Sequence, residues 1–369
     1  MTPAAPTFWI DWLCRDALPL WSDAGYDSDE DSFVERLTLS GTPQADVPRR
    51  LMVQARQIYV FATAALNGWF PRGADLALRA GHSMIRNYTD ADAQKGWAFS
   101  CTQQGAIVDD RRDLYAHAFV LLALASLLRL DAAPRYINLV DRTLTFLDQD
   151  MAHPAGGYAE QWPSAVLPRR QNPHMHLLEA FLALQDVGLC GDFSPRIAAL
   201  VALCESRFIT GRTNVLSEYF DEEWRPLDGG RSFEPGHHFE WVWLLTRHAA
   251  MCNIAMDERI EGLLQRALSG IDAKGRIVDL VGPERATAQY RLWSSMEAAK
   301  AFMAPLGRAA RPSGVADILH AAWQAFLAPS IPGGWIDRID PLGNALVDHM
   351  PASSLYHVTT ALDYYQRRV

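Results

Sequence analysis

The chain has 369 residues, a formal net charge of −9 and 49% hydrophobic residues. An acidic surface of that kind repels phosphate backbones, which excludes nucleic acid as a natural partner and favours a small neutral ligand. The most apolar run, Ala118–Leu128, is far shorter than the roughly 20 residues that span a bilayer, and the first residues lack an export-signal pattern, so no membrane association is expected.

In chain order, two kinds of helix alternate. Arg50–Leu66 is apolar on most of its surface, and Ala74–Tyr88 is amphipathic. The same pair recurs as Asp113–Leu130 with Pro134–Met151, Pro173–Val187 with Ser194–Phe208, His237–Ala250 with Asp257–Ile271, and Arg291–Met303 with Gly314–Leu327. Ala352–Tyr365 closes the series with one more apolar helix. Helices apolar nearly all round belong in an interior, and amphipathic ones belong on its outside. Each apolar helix carries one polar or aromatic residue near its start: Arg56, Tyr115, His176, His237, Trp293 and His357, spaced 59, 61, 61, 56 and 64 residues apart. Sixty residues is about two helices with connections, and six such units fill a closed double ring; an open solenoid of the same units is the alternative.

The connections repeat too. Gly25–Tyr26, Gly96–Trp97, Gly157–Tyr158, Gly275–Arg276 and Gly334–Trp335 each open a stretch with strand and turn character. The expectation is an all-α (α/α)6 barrel with short β-hairpin loops at one mouth, residues 1–369 forming a single catalytic domain. If the inner helices run in one direction, their six special residues line one pocket. Five widely spaced cysteines without a CxxC or zinc pattern read as free thiols of a cytoplasmic protein.

Three segments carry chemistry. In Glu234-Pro-Gly-His237-His238-Phe-Glu240, the helix begins near His237 and Glu240 lies one turn on, placed to orient the imidazole and raise its pKa. In Asn172-Pro173-His174-Met-His176-Leu-Leu-Glu179, Asn172 reads as a helix cap or a ligand contact, and His176 and Glu179 repeat the spacing of three. In Pro351-Ala-Ser-Ser354-Leu-Tyr-His357, a serine caps the helix, and His357 at its start has a lowered pKa and no carboxylate at that spacing. Arg56 offers a guanidinium to substrate oxygens, while Tyr115 and Trp293 offer a hydroxyl and a stacking face. No HExxH or facial metal triad occurs, so no metal site is expected.

These segments, with Ala55-Arg56-Gln-Ile-Tyr59, Leu114-Tyr-Ala-His-Ala-Phe119 and Arg291-Leu-Trp293 followed by Glu297 and Lys300, resemble the N-acylglucosamine 2-epimerase family over nearly the whole chain. The resemblance implies no cofactor for the chemical step, sugar binding by Arg56, Tyr115, Asn172, His176 and Trp293, and a catalytic group of His237, Glu240 and His357. It implies opening of the pyranose and removal of the C2 proton to give a cis-enediol(ate), with His357 as the base. The segments around Arg56 and Pro351 are most similar to the mannose- and sulfoquinovose-isomerase branch, so the expected reaction is D-mannose to D-fructose, by a monomer or homodimer. Epimerisation at C2 ranks second, and isomerisation of an anionic sugar held by Arg169, Arg170 and Arg231 third. A glycoside hydrolase on the same barrel is the rival reaction class, with Glu179, Glu240 and Glu297 as its carboxylates. Ser294-Ser295-Met296 departs from the family pattern beside Trp293.

Overall fold

Helices that are apolar on most faces must be covered on most faces, and the chain puts six of them at its centre. The computed structural model describes residues 2–89, 95–164, 166–210, 214–255, 258–282, 289–305 and 314–368. The chain opens with α1 (Pro6–Trp12) and α2 (Leu18–Asp23), joined through a π-turn at Leu13–Ala17. Inner and outer helices then alternate: α3 (Leu51–Leu66) with α4 (Gly73–Tyr88), α5 (Leu114–Leu130) with α6 (Pro134–Phe146), and α7 (Gln171–Val187) with α8 (Ser194–Leu203). They continue as α9 (Pro235–Cys252) with α10 (Glu258–Leu268), α11 (Leu292–Met303) with α12 (Val315–Ala322), and finally α13 (Leu355–Gln366).

Each inner helix packs on the next, and α13 packs back on α3. That contact closes the ring and rejects the open solenoid. The mean burial is what a central ring requires: every residue from Leu51 to Ala64 of α3 is buried, and so is every residue from Ala116 to Leu128 of α5. The α1–α2 rod is the sixth outer element, through contact of α1 with α13. The periodicity did not anticipate it, because Pro19 and the π-turn interrupt the pattern and Trp9, Trp12 and Trp21 are all buried. The predicted Asp257–Ile271 helix stops at Leu268, and Asp257 lies outside the described residues.

A second ring lies at the mouth. The two residues before an inner helix form a short strand that pairs with the hairpin of the following unit. Arg49–Arg50 pairs with Ser100–Cys101, Arg112–Asp113 with Gln161–Trp162, and Arg169–Arg170 with Tyr219–Phe220. Phe233 bridges Val281, Tyr290–Arg291 pairs with Arg338–Ile339, and His349–Pro351 returns to Arg36–Thr38. These pairs fix the direction of all six inner helices, so their N-termini share one mouth.

Three histidines stitch hairpins to helices. The Nδ1–H groups of His117, His174 and His238 donate to the carbonyls of Asp113, Arg170 and Glu234, one turn earlier. Their Nε2 atoms accept the backbone N–H of Trp97, Tyr158 and Leu216, at 3.1, 3.0 and 3.0 Å. Gln54 does the same work in α3, accepting from Phe33 N–H at 2.9 Å. The glycines at these hairpins follow from this: a Cβ on Gly96 or Gly157, both at positive φ, would lie 2.7 or 2.6 Å from the accepting nitrogen.

Burial holds these histidines neutral, His117 and His238 down to about 4 and His174 to about 3. In the unfolded chain they protonate near 6.5. Their contribution to stability is therefore complete above pH 6.5 and is lost as pH falls from there toward 4. Urea unfolding midpoints are expected to drop between pH 7 and 5, and His174→Gln, which copies Gln54, to flatten that slope. An unchanged slope in the variant refutes the role of His174.

Candidate active site

The six special residues meet where the inner helices begin. A cavity of about 180 Å³ is lined by Arg56, Tyr115, Asn172, His176, Glu234, His237, Glu240, Arg291, Trp293 and His357. Every site residue expected from the sequence is in that lining, and Glu234 and Arg291 join them. A larger groove of about 930 Å³ lies outside the barrel, against Asp272, Lys274, Asp317 and His320, and contains none of these groups.

Trp293 sits against both catalytic candidates, its ring 5.0 Å from that of His237 and 5.6 Å from that of His357. On the far wall, Arg56 donates to the Tyr115 hydroxyl at 2.6 Å and lies over the rings of Phe119 and Tyr356. It makes no ion pair among the described residues, and its Nε is buried without a partner. His176 pairs with Glu179 at 3.1 Å, as the spacing of three predicts, and the Tyr356 hydroxyl donates to the same carboxylate.

The carboxylates behind the two histidines differ from expectation. His237 Nδ1 bonds Glu218 Oε2 at 2.9 Å, with Glu234 Oε2 at 3.5 Å. Glu240 is not its hydrogen-bonding partner: both Glu240 oxygens are buried without one, and the nearest imidazole is that of His176, at 3.9 Å. An imidazole has a single Nδ1, and the hairpin carboxylate occupies it. His357 also has a carboxylate, Glu297 Oε1 at 2.6 Å from Nδ1, supplied by the neighbouring helix α11 where no spacing along α13 can reveal it. The capping expectations fail as well. The helix starts at Gln171, so Asn172 is inside it and its amide turns to His237 Nε2 at 3.0 Å. Ser354 spends its hydroxyl on Asp337 instead of capping α13.

Glu218 did have a signal in the sequence. Val34-Glu35, Ala159-Glu160, Ser217-Glu218 and Ile336-Asp337 occupy the same place in four hairpins. Glu35 and Glu160 each accept the backbone N–H and side chain of the arginine that precedes their inner helix, Arg50 and Arg170. In the fourth unit that position is Glu234, so Glu218 accepts Glu234 N–H and turns its other oxygen to His237.

The two imidazoles are driven apart in charge. Burial opposes the charge of His237, but Glu218 and then Glu234 outweigh it and push the pKa up to about 10. Burial, followed by Arg56 and Lys300, holds His357 well below 6.5. Asn172 Nδ2 stands against His237 Nε2; a charged His237 donates from both ring nitrogens, so for that form the amide turns over and Oδ1, which otherwise has no partner, accepts. Among the described residues, three groups of one histidine and two carboxylates come within 4.8 Å: His176 with Glu179 and Glu240, Glu218 and Glu234 with His237, and Glu240 and Glu297 with His357. In each, the imidazole is already bonded to a carboxylate, and the Lys300 ammonium stands 2.6 Å from Glu297, where it would repel a cation.

The N-acylglucosamine 2-epimerase (GlcNAc 2-epimerase) model matches residues 32–361. The chain belongs to that family. A mannose-6-phosphate isomerase of Rhizobium meliloti (strain 1021) is 33% identical over 95% of this chain and 94% of its own. A D-mannose isomerase of Thermobifida fusca is 28% identical over 64% and 63%. The solved cellobiose 2-epimerase of Bacillus thermoamylovorans B4167 superposes with a TM-score of 0.88 over 99% of both chains, at 17% identity, and shares the (α/α)6 fold. Like its family, the chain is an enzyme of the isomerase class, a sugar isomerase or epimerase. Among the described residues no helix is long and apolar enough to cross a membrane.

The departure at Ser294-Ser295-Met296 is buried and does not line the cavity. It bears on Trp293 through Gly236, where a Cβ would stand 2.6 Å from Trp293 Cζ3 and 2.8 Å from Ser294 Oγ. Gly236→Ala is expected to cost roughly 1–3 kcal/mol of stability and to lower kcat/KM by ten-fold or more by displacing Trp293. Steady-state kinetics alongside circular dichroism checks both, and a fully active, folded variant refutes the close-approach role.

Proposed function

We propose that this enzyme interconverts D-mannose and D-fructose without a metal, with His357 as the base and His237 as the acid. The observation that carries the reading is two imidazoles on one small cavity, each fixed through Nδ1 by its own carboxylate, in surroundings that push the pKa of His237 up and that of His357 down. Two groups whose surroundings drive their charges apart are what acid–base catalysis at one pH needs.

His357 uses Nδ1 on Glu297 and so offers Nε2 to the open-chain sugar. It takes the C2 proton while His237 gives a proton to O1, producing the cis-enediol. His237 then recovers a proton from the 2-hydroxyl, and His357, whose proton exchanges with solvent, delivers one to C1, which leaves the ketose. Trp293 stacks on the carbon chain, and Arg56, Tyr115, Asn172 and His176 hold the hydroxyls. Epimerisation would need a proton delivered to the other face of C2. His237 is the candidate for that, and the first product formed from mannose separates the two outcomes.

A free sugar suits the charges better than an anionic one. Arg169, Arg170 and Arg231 do not line the cavity. Arg169 is spent on the Glu222, Gly156 and Tyr158 carbonyls and the Trp224 ring, Arg170 on Glu160, and Arg231 on the Asp228 carbonyl. Arg291 does reach the cavity, but Glu234 and Glu240 share its walls. The cavity also lies below the roughly 300–1,000 Å³ of drug-sized sites, in keeping with a monosaccharide. As for glycoside hydrolysis, Glu179 and Glu297 do not line the cavity and are bonded to His176 and His357, which suits support and not attack.

Proton NMR in deuterated water is the test. With mannose, fructose is expected to carry deuterium at C1, with EDTA without effect, and His357→Ala and His237→Ala each reducing turnover by at least about 10². Conversion of mannose 6-phosphate but not mannose overturns the substrate, and glucose as the first product overturns the isomerase outcome. Glu218→Gln removes the main carboxylate holding the proton on His237. The alkaline limb of kcat/KM is then expected to move to lower pH by about one unit or more, and an unmoved limb removes His237 from the acid role.

A further inference from the structure

The two histidine–carboxylate pairs are alike in the bond to Nδ1 and unlike in what else the carboxylate meets. Behind His237, the remaining contacts of Glu218 are neutral: the Gln171 amide at 2.9 Å and the backbone N–H of Glu234. Behind His357, the far oxygen of Glu297 meets the ammonium of Lys300 at 2.6 Å. Lys300 is fully buried, with Nζ 3.9 Å from the centre of the Trp243 ring. It lies one turn deeper than Glu297 on α11, on the side of the site away from solvent. A buried lysine is retained in a core only when opposite charge compensates it, and here Glu297, Glu240 and Glu179 converge on it from α11, α9 and α7 and hold its proton.

We propose that Lys300 is a positioning residue that keeps His357 neutral and proton-accepting by occupying the far oxygen of Glu297. The physics is competition for one carboxylate. A carboxylate bonded only to neutral donors places its full charge on the imidazole and stabilises the imidazolium, as at His237. A carboxylate shared with an ammonium still orients the ring through Nδ1, but its charge is largely cancelled. Orientation and basicity are thereby set separately: Glu297 aims the ring, and Lys300 adds to burial and Arg56 in keeping it uncharged.

The other groups around His357 leave Lys300 this task. Arg56 of α3, His176 of α7 and Arg291 before α11 act against an imidazolium, and Glu240 of α9 together with Glu297 acts for it. Arg56 and Arg291 face the cavity that the sugar enters, where substrate oxygens engage them. Lys300 does not line the cavity, so its effect persists through the catalytic cycle.

The proposal rests on the reading of His357 as the base, and the experiment separates the two. The imidazole of His357 is titrated by nitrogen-15 NMR in the full chain without substrate, for the parent and for Lys300→Met. The expected result is a rise of at least about one unit in the variant. The acid limb of kcat/KM is expected to rise by the same amount, with roughly ten-fold lower kcat/KM for each unit once the pH lies below the new value. If Lys300→Met leaves too many carboxylates to fold, Lys300→Met/Glu240→Gln is compared with Glu240→Gln by the same titration. Lys300→Arg, which keeps the charge, is expected to restore the parent value. An unchanged or lowered His357 titration overturns the proposal, since Glu297 has then taken up the proton itself. A raised titration with an unmoved kinetic limb upholds the proposal and instead removes His357 as the base.

Discussion

The contact of α13 with α3 is the constraint on which the rest depends. Without it, His357 and Glu297 belong to an open end, and Arg56 faces solvent. With it, six helix N-termini converge and each donates at least one side chain to the same small volume. The ring of two-residue strands enforces this from above, because pairing each pre-helix strand with the next hairpin leaves no freedom to reverse a helix. The stitching histidines enforce it from the side, tying hairpins to α5, α7 and α9. Rigid elements therefore set the site, which is what catalytic geometry demands.

Inside that frame, charge does the sorting. The cavity walls hold cations and anions in near contact: Arg56, Arg291 and His237 against Glu234 and Glu240. A neutral sugar meets no like charge on either wall, and its hydroxyls donate to the carboxylates and accept from the cations. At and beneath the floor, Glu179, Glu240 and Glu297 gather round one ammonium, two imidazoles and one phenol. A low-dielectric cluster of that composition lets single residues shift the proton affinity of their neighbours strongly.

How much of this was legible in the sequence follows from what each signal depends on. Alternating helix character and one odd residue per inner helix are local patterns, and they gave the ring and all eight expected site residues their places in one cavity. The α1–α2 rod was not legible, because a π-turn and Pro19 break its period. Partners that come from another element were not legible either. Spacing along α9 suggested Glu240 for His237, and spacing along α13 suggested no carboxylate for His357, yet the bonded acids are Glu218 and Glu297. Helical spacing reports only neighbours on one helix, and both bonded partners cross between elements.

Comparison among the repeats reaches further than spacing does. Glu35, Glu160, Glu218 and Asp337 began as one structural device, an acid that ties its hairpin to the start of an inner helix. Where the helix is preceded by arginine, as at Arg50 and Arg170, the acid is neutralised and its work ends with the fold. In the fourth unit glutamate replaces that arginine. Among the described residues the hairpin acid then pairs with no cation except the imidazole of His237, and Glu234 stands beside that imidazole as a second carboxyl group. One exchange of sign at a repeated position thus turns a structural carboxylate into the anchor of a proton donor. The fifth unit makes the opposite adjustment: it supplies a carboxylate to His357 and sets an ammonium behind it. A repeated ring thus acquires an acid side and a base side through the partners of its carboxylates.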